Sequence, residues 1–229
     1  MLRQRIEAVI AGAREDGWVM EPEARKICRE AGLPVTDFTF ARNEDEALAF
    51  AREKGWPLAA KVVSPDIVHK SDAGGVAVGL ESEDQLRGVM SRFSRLPGYR
   101  GAVVTPMVKG VEVIVGGKMD FQFGPVVLFG VGGTAVEVYQ DTVIRMAPLK
   151  EQDADSMIRS LKGRQFLLGH RGHPPVALDP LKRLLVDFSV LLMEMDGLAD
   201  SVDLNPVLCS DTACHVADAR IMLPQASRL

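Results

Sequence analysis

The stretch AAKVVSPDIVHKSDAGGVAVGL, residues 59–80, decides how this chain is interpreted. The apolar run at its start predicts a buried strand over 58–63, and a second strand is predicted over 76–80. Lys61 lies inside the first strand, where an unpaired ammonium group costs free energy. A bound phosphate would remove that cost. A structural carboxylate or a side chain that reaches the surface would remove it equally well, so the strand alone leaves these interpretations open.

The loop between the two strands contains His69, Lys70 and Ser71, followed by Gly74 and Gly75. Paired glycines let the backbone approach a phosphate closely and turn successive N–H groups toward it. Lys70 adds positive charge and Ser71 a hydroxyl, so the loop predicts a phosphate site. It is not a Walker A loop, because the G-x-x-x-x-G-K-[ST] spacing is absent. Neutral imidazole is a good nucleophile, but a lone histidine is more often structural, so His69 alone supports either role.

The composition excludes several classes of function. Apolar residues make up 47% and charged residues 25%, and the net charge of −4 comes without basic runs, so a nucleic-acid groove is not expected. The N-terminal residues lack the continuous apolar stretch of a signal peptide, and no stretch of the sequence approaches the apolar length of a membrane span. Its three cysteines are too few for a disulfide framework or a zinc site. We therefore expect a cytoplasmic protein with free buried thiols and neither nucleic acid nor membrane as partner.

The order of the predicted elements indicates an α+β fold. The predicted helices lie over about 2–15, from Pro22 to Gly32, over 44–54 after the N-cap Asn43, over 83–96 after the N-cap Ser82, and from Pro180 after the N-cap Asp179. The predicted strands lie at 35–40, 58–63, 76–80, 102–105, 111–116, 125–129, 135–139, 142–146, 203–209 and 214–221. Because strands do not alternate regularly with helices, a doubly wound parallel sheet is not expected.

The C-terminal strands predict a magnesium site. Asp203 and Asn205 are two residues apart on a predicted strand and therefore share a face. With a hairpin loop at 210–213, counting back along the antiparallel strands places Asn205 opposite Asp218. These oxygen-bearing side chains suit Mg²⁺, which takes a few protein oxygens and completes its shell with water and phosphate. An Asx-rich turn with a solvated edge explains the same residues equally well.

The segment around Pro106 is a candidate for binding adenine. Proline cannot donate to a sheet ladder, so the chain is predicted to leave the sheet here and to expose backbone groups to a base edge. Glu112 begins the apolar strand that follows. If buried it needs a partner, such as a ribose hydroxyl or a lysine, and a surface glutamate at a strand start is the simpler interpretation.

Seven parts of the sequence, in the same order, resemble the ATP-grasp β subunits of ADP-forming acetate–CoA ligases, which are related to succinate–CoA ligase β subunits: Lys61, SPDIVHKSDAGGV, GVEVIVGG, FQFGPVVLFGVGG, VEVYQDTVIRMAPL, SVDLNPV and ADARI. The resemblance covers nearly the whole chain. It implies an ATP-grasp fold of two α+β subdomains that bind ATP or ADP in the cleft between them. The first, 1–104, would carry the phosphate loop, and the second, 105–229, the magnesium hairpin.

Residue chemistry and the resemblance together nominate the site residues. The nucleotide-binding residues would be Lys61, Lys70, Ser71, Gly74, Gly75, Met107, Val108 and Glu112, with Met107 and Val108 offering backbone to adenine and Glu112 lying near the ribose. The magnesium ligands would be Asn205, Asp218 and Asp203. The resemblance makes His69 the histidine that is phosphorylated as an intermediate. Further polar candidates, which surface ion pairs explain as easily, are Glu137, Asp141, Arg145 and Arg171.

The reaction implied by the resemblance interconverts acyl-CoA, ADP and phosphate with free acid, CoA and ATP. The chain shows no candidate CoA-binding Rossmann unit, so a separate CoA-binding α subunit is expected, in an α2β2 hetero-oligomer. Acetate is the implied acid, although the acyl pocket would lie in the partner. Two alternatives remain at this point: a self-contained ATP-grasp carboxylate ligase that acts through an acyl phosphate, and a non-catalytic nucleotide-sensing module.

Overall fold

The computed structural model describes residues 1–67, 69–132, 141–169 and 174–224. The α-helices of this part are α1 (Leu2–Ala13), α2 (Glu21–Glu30), α3 (Glu44–Lys54), α4 (Glu83–Phe93), α5 (Glu151–Ser160) and α6 (Leu178–Glu194). A short 3₁₀ helix, Lys162–Phe166, follows α5. Within these ranges no helix is both long and apolar enough to cross a membrane.

Polar side chains cap the N-termini of two helices, as predicted. Asn43 before α3 and Ser82 before α4 each accept a hydrogen bond from the backbone N–H three residues later, at 2.9 and 3.3 Å. The start of α6 differs from the prediction. The helix already begins at Leu178, so Asp179 lies in the first turn instead of at the N-cap. There its carboxylate pairs with Lys182 at 2.7 Å, which also favours a helix start.

The strands form two antiparallel sheets. They are β1 (Trp18–Val19), β2 (Thr39–Ala41), β3 (Leu58–Val63), β4 (Val76–Leu80), β5 (Gly101–Pro106), β6 (Val111–Asp120), β7 (Gly124–Val131), β8 (Thr142–Met146), β9 (Ser201–Cys209), β10 (Cys214–Val216) and β11 (Arg220–Met222). A seven-stranded sheet has the order β1-β11-β9-β6-β7-β8, with β10 also paired to β9. A four-stranded sheet has the order β2-β5-β3-β4. The predicted strand at 135–139 lies outside the described residues.

Contacts within the chain divide it into two units. The large unit contains Met1–Val19, Glu23–Val35 and Lys109–Leu229, and the small unit contains Met20–Pro22 and Thr36–Val108. These units do not follow chain order, because α1 and most of α2 pack with C-terminal residues. The division at 104/105 drawn from the sequence remains a prediction about domains.

The core of the large unit lies between its helices and one face of the seven-stranded sheet. Alternate residues of β6 and β7, such as Val113, Val115 and Phe129, are fully buried on that face. The helices α1, α2, α5 and α6 contribute to the same core, for example through Ile6 and Phe188. This shared burial explains why the N-terminal helices belong with the C-terminal strands.

The core of the small unit lies on the face of the four-stranded sheet that carries α3 and α4. Ala60 and Val62 of β3 point into this core. Because side chains alternate along a strand, Lys61 between them points to the opposite face. The fold therefore places the lysine where it does not disturb the packed core.

We predict that Phe188→Ala lowers the free energy of unfolding of the large unit by about 3–5 kcal/mol, because it leaves a cavity at a fully buried site. Val190→Ala is the matched control on the same helix, since the Val190 side chain is 49% exposed. The control should change stability by no more than about 0.5 kcal/mol. Urea unfolding followed by circular dichroism measures both, and equal effects would contradict the described packing of α6.

Candidate functional site

Two lysines and one glutamate form a charge cluster in the small unit. The ammonium group of Lys61 on β3 lies 3.7 Å from a carboxylate oxygen of Glu21, and Lys70 forms an ion pair with the other oxygen of the same carboxylate. The Glu21 side chain is 1% exposed, and the two lysine side chains are 12% and 13% exposed. The cost of burying Lys61 is therefore met by a carboxylate, one of the interpretations that the strand alone left open.

The loop that follows β3 is held by its own backbone. The carbonyl of Lys70 accepts the N–H of Gly75 at 2.7 Å, and the carbonyl of Ser71 accepts the N–H of Gly74 at 3.1 Å. The Gly75 carbonyl in turn accepts the N–H of Val62 at 2.8 Å. The N–H groups of both glycines are thus used inside the loop. The sequence analysis expected them to turn toward a phosphate, and they do not.

The two glycines are required by the shape of this loop. Gly74 has a φ of +67°, which side chains of L-residues rarely permit. A Cβ at Gly75 would lie 2.4 Å from Cγ1 of Val62. These constraints account for the Gly-Gly pair without a phosphate, so a phosphate contact at Gly74 or Gly75 stays a prediction.

His69 and Ser71 are exposed on either side of the anchored Lys70. The neighbouring Val68 lies outside the described residues. An exposed imidazole is accessible to a phosphate group. The loop therefore has the chemistry that a nucleophilic histidine needs, whereas a buried structural histidine would be inaccessible.

Of the three residues nominated for adenine and ribose, Met107 and Glu112 are exposed and Val108 is partly buried. The N–H of Met107 donates to the Pro57 carbonyl at 3.0 Å, so that N–H is not available to a base, and the prediction is left with the Met107 carbonyl and the backbone of Val108. Glu112 is exposed near the start of β6, as the simpler interpretation expected. It lies on the face of β6 opposite the buried Val113, and it shares this face with Gly116.

In the C-terminal hairpin, Asp203 of β9 lies on the same face, because it is paired with Gly116 of β6. Cys209 lies opposite Cys214, and Asp203 lies opposite Arg220. Both pairs have the same antiparallel register, which places Asn205 opposite Asp218 and confirms the count made from the sequence. The predicted strand over 214–221 is present as two shorter strands, β10 and β11, separated by residues 217–219.

A β-bulge in β9 exposes Asn205. Val113 of β6 pairs with Val207, and Val115 pairs with Leu204, so two residues of β9, Asn205 and Pro206, face one residue of β6. Pro206 has no N–H to lose, which suits a bulge. Bulges often re-aim side chains next to functional sites, and here Asn205 is exposed between the buried Leu204 and the partly buried Pro206.

Asp203 has a cationic partner that the sequence analysis did not identify. The guanidinium of Arg220 lies 3.7 Å from the Asp203 carboxylate. Burial raises the pKa of Asp203, and the charge of Arg220 lowers it in part. Arg220 could have been predicted as this partner, because the register that pairs Asn205 with Asp218 also pairs Asp203 with Arg220.

The oxygen donors at this hairpin suit Mg²⁺ better than they suit a metal ion whose whole coordination shell comes from protein side chains. Among the described residues, no group of three or more His, Cys, Asp or Glu side chains is placed to hold a metal. The amide oxygen of Asn205 and the carboxylates of Asp218 and Asp203 are hard donors that are too few for a complete shell. Mg²⁺ commonly retains several waters and binds together with substrate phosphates, so such an incomplete set is suited to it.

Arg25 supports the segment that carries Asp218. Its side chain is fully buried in the large unit, and its guanidinium donates to the carbonyl of Ala217, directly before Asp218. This role could not be predicted from the sequence, because an arginine within an amphipathic helix usually reaches solvent.

Of the four remaining polar candidates, two make hydrogen bonds within the described structure. The carboxylate of Asp141 accepts the N–H groups of Lys162 and Gly163 at 2.9 and 2.6 Å and so anchors the 3₁₀ helix. Arg145 is exposed and donates to the Ile144 carbonyl. Glu137 and Arg171 lie outside the described residues.

Comparison with known proteins identifies relatives over nearly the whole chain. The β subunit of ADP-forming acetate–CoA ligase I of Pyrococcus furiosus is 37% identical over 225 residues, which cover 95% of this chain and 97% of that subunit. The ADP-forming acetate–CoA ligase I of Archaeoglobus fulgidus is 37% identical over 229 residues, which cover 96% of this chain but only 33% of that longer protein. The chain thus spans a whole subunit in one relative and about a third of the other.

Solved structures agree with this relationship. A structure of the dinucleotide-forming acetyl-coenzyme A synthetase 1 of Ca. Korarchaeum cryptofilum, with coenzyme A, Ca-AMPCP and HgCl⁺, matches with a TM-score of 0.88 at 39% identity and covers 95% of this chain and 99% of that one. A second structure of that protein contains coenzyme A and Mg-AMPPCP, with its phosphohistidine segment pointing towards the nucleotide-binding site. It matches with a TM-score of 0.85 at 38% identity, over 96% of this chain and 100% of that one.

A family model for the ATP-grasp domain matches residues 10–223. This match and the structural relatives confirm the predicted α+β ATP-grasp fold. Because the Pyrococcus furiosus subunit also matches from end to end, the chain belongs to the ATP-grasp family, among the relatives of the β subunits of ADP-forming acetate–CoA ligases.

Proposed function

We propose that this chain is the nucleotide-binding subunit of an ADP-forming acyl-CoA synthetase and that it transfers phosphate between His69 and ADP. The observation that carries the proposal is the exposed imidazole of His69 directly before Lys70, whose ammonium group is held with that of Lys61 at one buried carboxylate. Two held cations next to a free nucleophile suit phosphoryl transfer, where catalysis comes mainly from positioning and charge neutralisation.

The chemical step needs no other co-reactant. In the direction of ATP synthesis, an oxygen of the β-phosphate of ADP attacks the phosphorus carried by His69. The new P–O bond forms as the P–N bond breaks, and the electron pair returns to the imidazole ring. In reverse, a ring nitrogen attacks the γ-phosphorus of ATP and ADP leaves. Lys61 and Lys70 would neutralise phosphate charge in both directions.

Magnesium would be held by Asn205 and Asp218, with Asp203 as a further oxygen donor once its carboxylate turns from Arg220. When bound, the ion would neutralise negative charge on the nucleotide phosphates. The hydrogen bond from Arg25 to the Ala217 carbonyl would keep the backbone of this ligand segment in place.

The acyl and CoA chemistry would belong to a partner. The Pyrococcus furiosus relatives are named as β subunits, which implies a partner subunit in those enzymes. The Archaeoglobus fulgidus relative is about three times as long, so its remaining two thirds have no counterpart in this chain. We propose that a CoA-binding α subunit supplies the missing part here, in an α2β2 assembly, with acetate as the acid.

We predict that His69→Asn abolishes ATP synthesis from acyl-CoA, ADP and phosphate in the presence of the α subunit, because the phosphate carrier is lost. Binding of ADP, measured by calorimetry, should remain. His215→Asn is the matched control, since His215 lies on β10 and has no proposed role, and it should retain activity. Full activity in His69→Asn would exclude the phosphohistidine. Turnover of ATP with a carboxylate in that variant, without a partner, would instead indicate a self-contained ligase.

We predict that Asp218→Asn weakens binding of ADP in the presence of Mg²⁺ by about tenfold or more, because a charged metal ligand becomes neutral. Binding of ADP without Mg²⁺ should change little. The control Asp211→Asn removes the same charge from an exposed position in the hairpin loop. Calorimetry with and without Mg²⁺ measures all three proteins, and equal Mg²⁺ dependence in the wild type and Asp218→Asn would place the metal elsewhere.

A further inference from the structure

We infer that Glu21 is a positioning residue for phosphoryl transfer, which acts by holding Lys61 and Lys70 in place for the nucleotide phosphates and by fixing the loop that carries His69. This inference rests on the proposed function. Glu21 is the first residue of α2 and is far in sequence from both lysines, so only the fold brings the three together.

The burial of Glu21 makes it the centre of the cluster. Its side chain is 1% exposed, less than either lysine. One carboxylate oxygen faces Lys61 and the other faces Lys70. Removing one partner of a buried ion pair costs much free energy, because the remaining charge is left unpaired where water solvates it poorly. Removal of Glu21 should therefore move both ammonium groups toward water.

Two groups of like charge, the ammonium groups of Lys61 and Lys70, pair with the one carboxylate of Glu21. Their positive charge attracts phosphate. Without the carboxylate, the two like charges would repel each other and separate. Glu21 thus allows two cations to be held close together before any nucleotide arrives, and such preorganisation avoids the cost of arranging them during the reaction.

Lys70 is held through both its backbone and its side chain, and this restricts the position of the adjacent His69. Its carbonyl accepts the N–H of Gly75, and its side chain pairs with Glu21. His69 is the adjacent residue and is exposed. The direction in which the imidazole leaves the loop therefore depends on Lys70, and through Lys70 on Glu21.

The first test is Glu21→Gln, which keeps the shape of the side chain and removes its charge. We expect the rate of phosphate transfer between His69 and ADP to fall about tenfold or more, as for the loss of a charge-assisted hydrogen bond. Glu23→Gln is the matched control, because Glu23 lies two residues later on the same helix and pairs with Arg5 and Lys26 at the surface. Circular dichroism establishes that both variants fold.

A second readout does not depend on activity. Reductive methylation, read by mass spectrometry, reports how accessible each lysine is. Labelling of Lys61 and Lys70 should increase in Glu21→Gln and stay at the wild-type level in Glu23→Gln. Glu21→Asp, which keeps the charge on a shorter side chain, should restore part of the protection and part of the transfer rate. It also serves as the folded variant should Glu21→Gln fail to fold.

A double-mutant cycle tests whether Glu21 acts through Lys70. If it does, Glu21→Gln added to Lys70→Met slows transfer less than it slows the wild type. Fully additive losses, or an unchanged transfer rate in Glu21→Gln, would overturn the inference. A wild-type chain that never carries phosphate on His69 would refute the proposed function instead, while the labelling of the two lysines would still show whether Glu21 holds them.

Discussion

Burying a lysine ammonium group without a negative partner costs free energy, and this constraint organises the small unit. Lys61 is placed by the alternation of β3 on the face away from the core, where the carboxylate of Glu21 meets it. Lys70 joins the same carboxylate from the following loop. The loop is then closed by hydrogen bonds of its own backbone and by glycines that its shape requires. Since His69 directly precedes Lys70, the position of its exposed imidazole depends on the same charge cluster.

A different constraint organises the large unit. Strand β9 must keep its apolar residues in the core and still present polar residues to the opposite face, and the bulge at Asn205 and Pro206 reconciles the two. Arg25 supports the segment that carries Asp218 by donating a hydrogen bond to the Ala217 carbonyl. The segment that carries the proposed metal ligand Asp218 is therefore supported by a hydrogen bond from a buried residue. Such support is what keeps a site with few protein donors in a fixed geometry.

Much of this could be predicted from the sequence, because it depends on local rules. The apolar run at 58–63 predicted β3 and the strand predicted at 76–80 is β4, both with their observed ends. The caps Asn43 and Ser82 are present, and counting residues across one hairpin gave the register of Asn205 and Asp218. The helix α5 was missed, although Ala154, Met157 and Ile158 are buried at helical spacing. Glu21 and Arg25 could not be predicted, because their partners are distant in sequence and are fixed only by tertiary packing.

The most direct test of the account is to incubate the wild-type chain alone with ATP and Mg²⁺ and to locate phosphate by mass spectrometry under conditions that preserve phosphohistidine. The account predicts phosphate on His69 and on no other residue, and predicts that adding ADP removes it and regenerates ATP. Phosphate on another residue, or a nucleotide-bound chain that never becomes phosphorylated at His69, would contradict it.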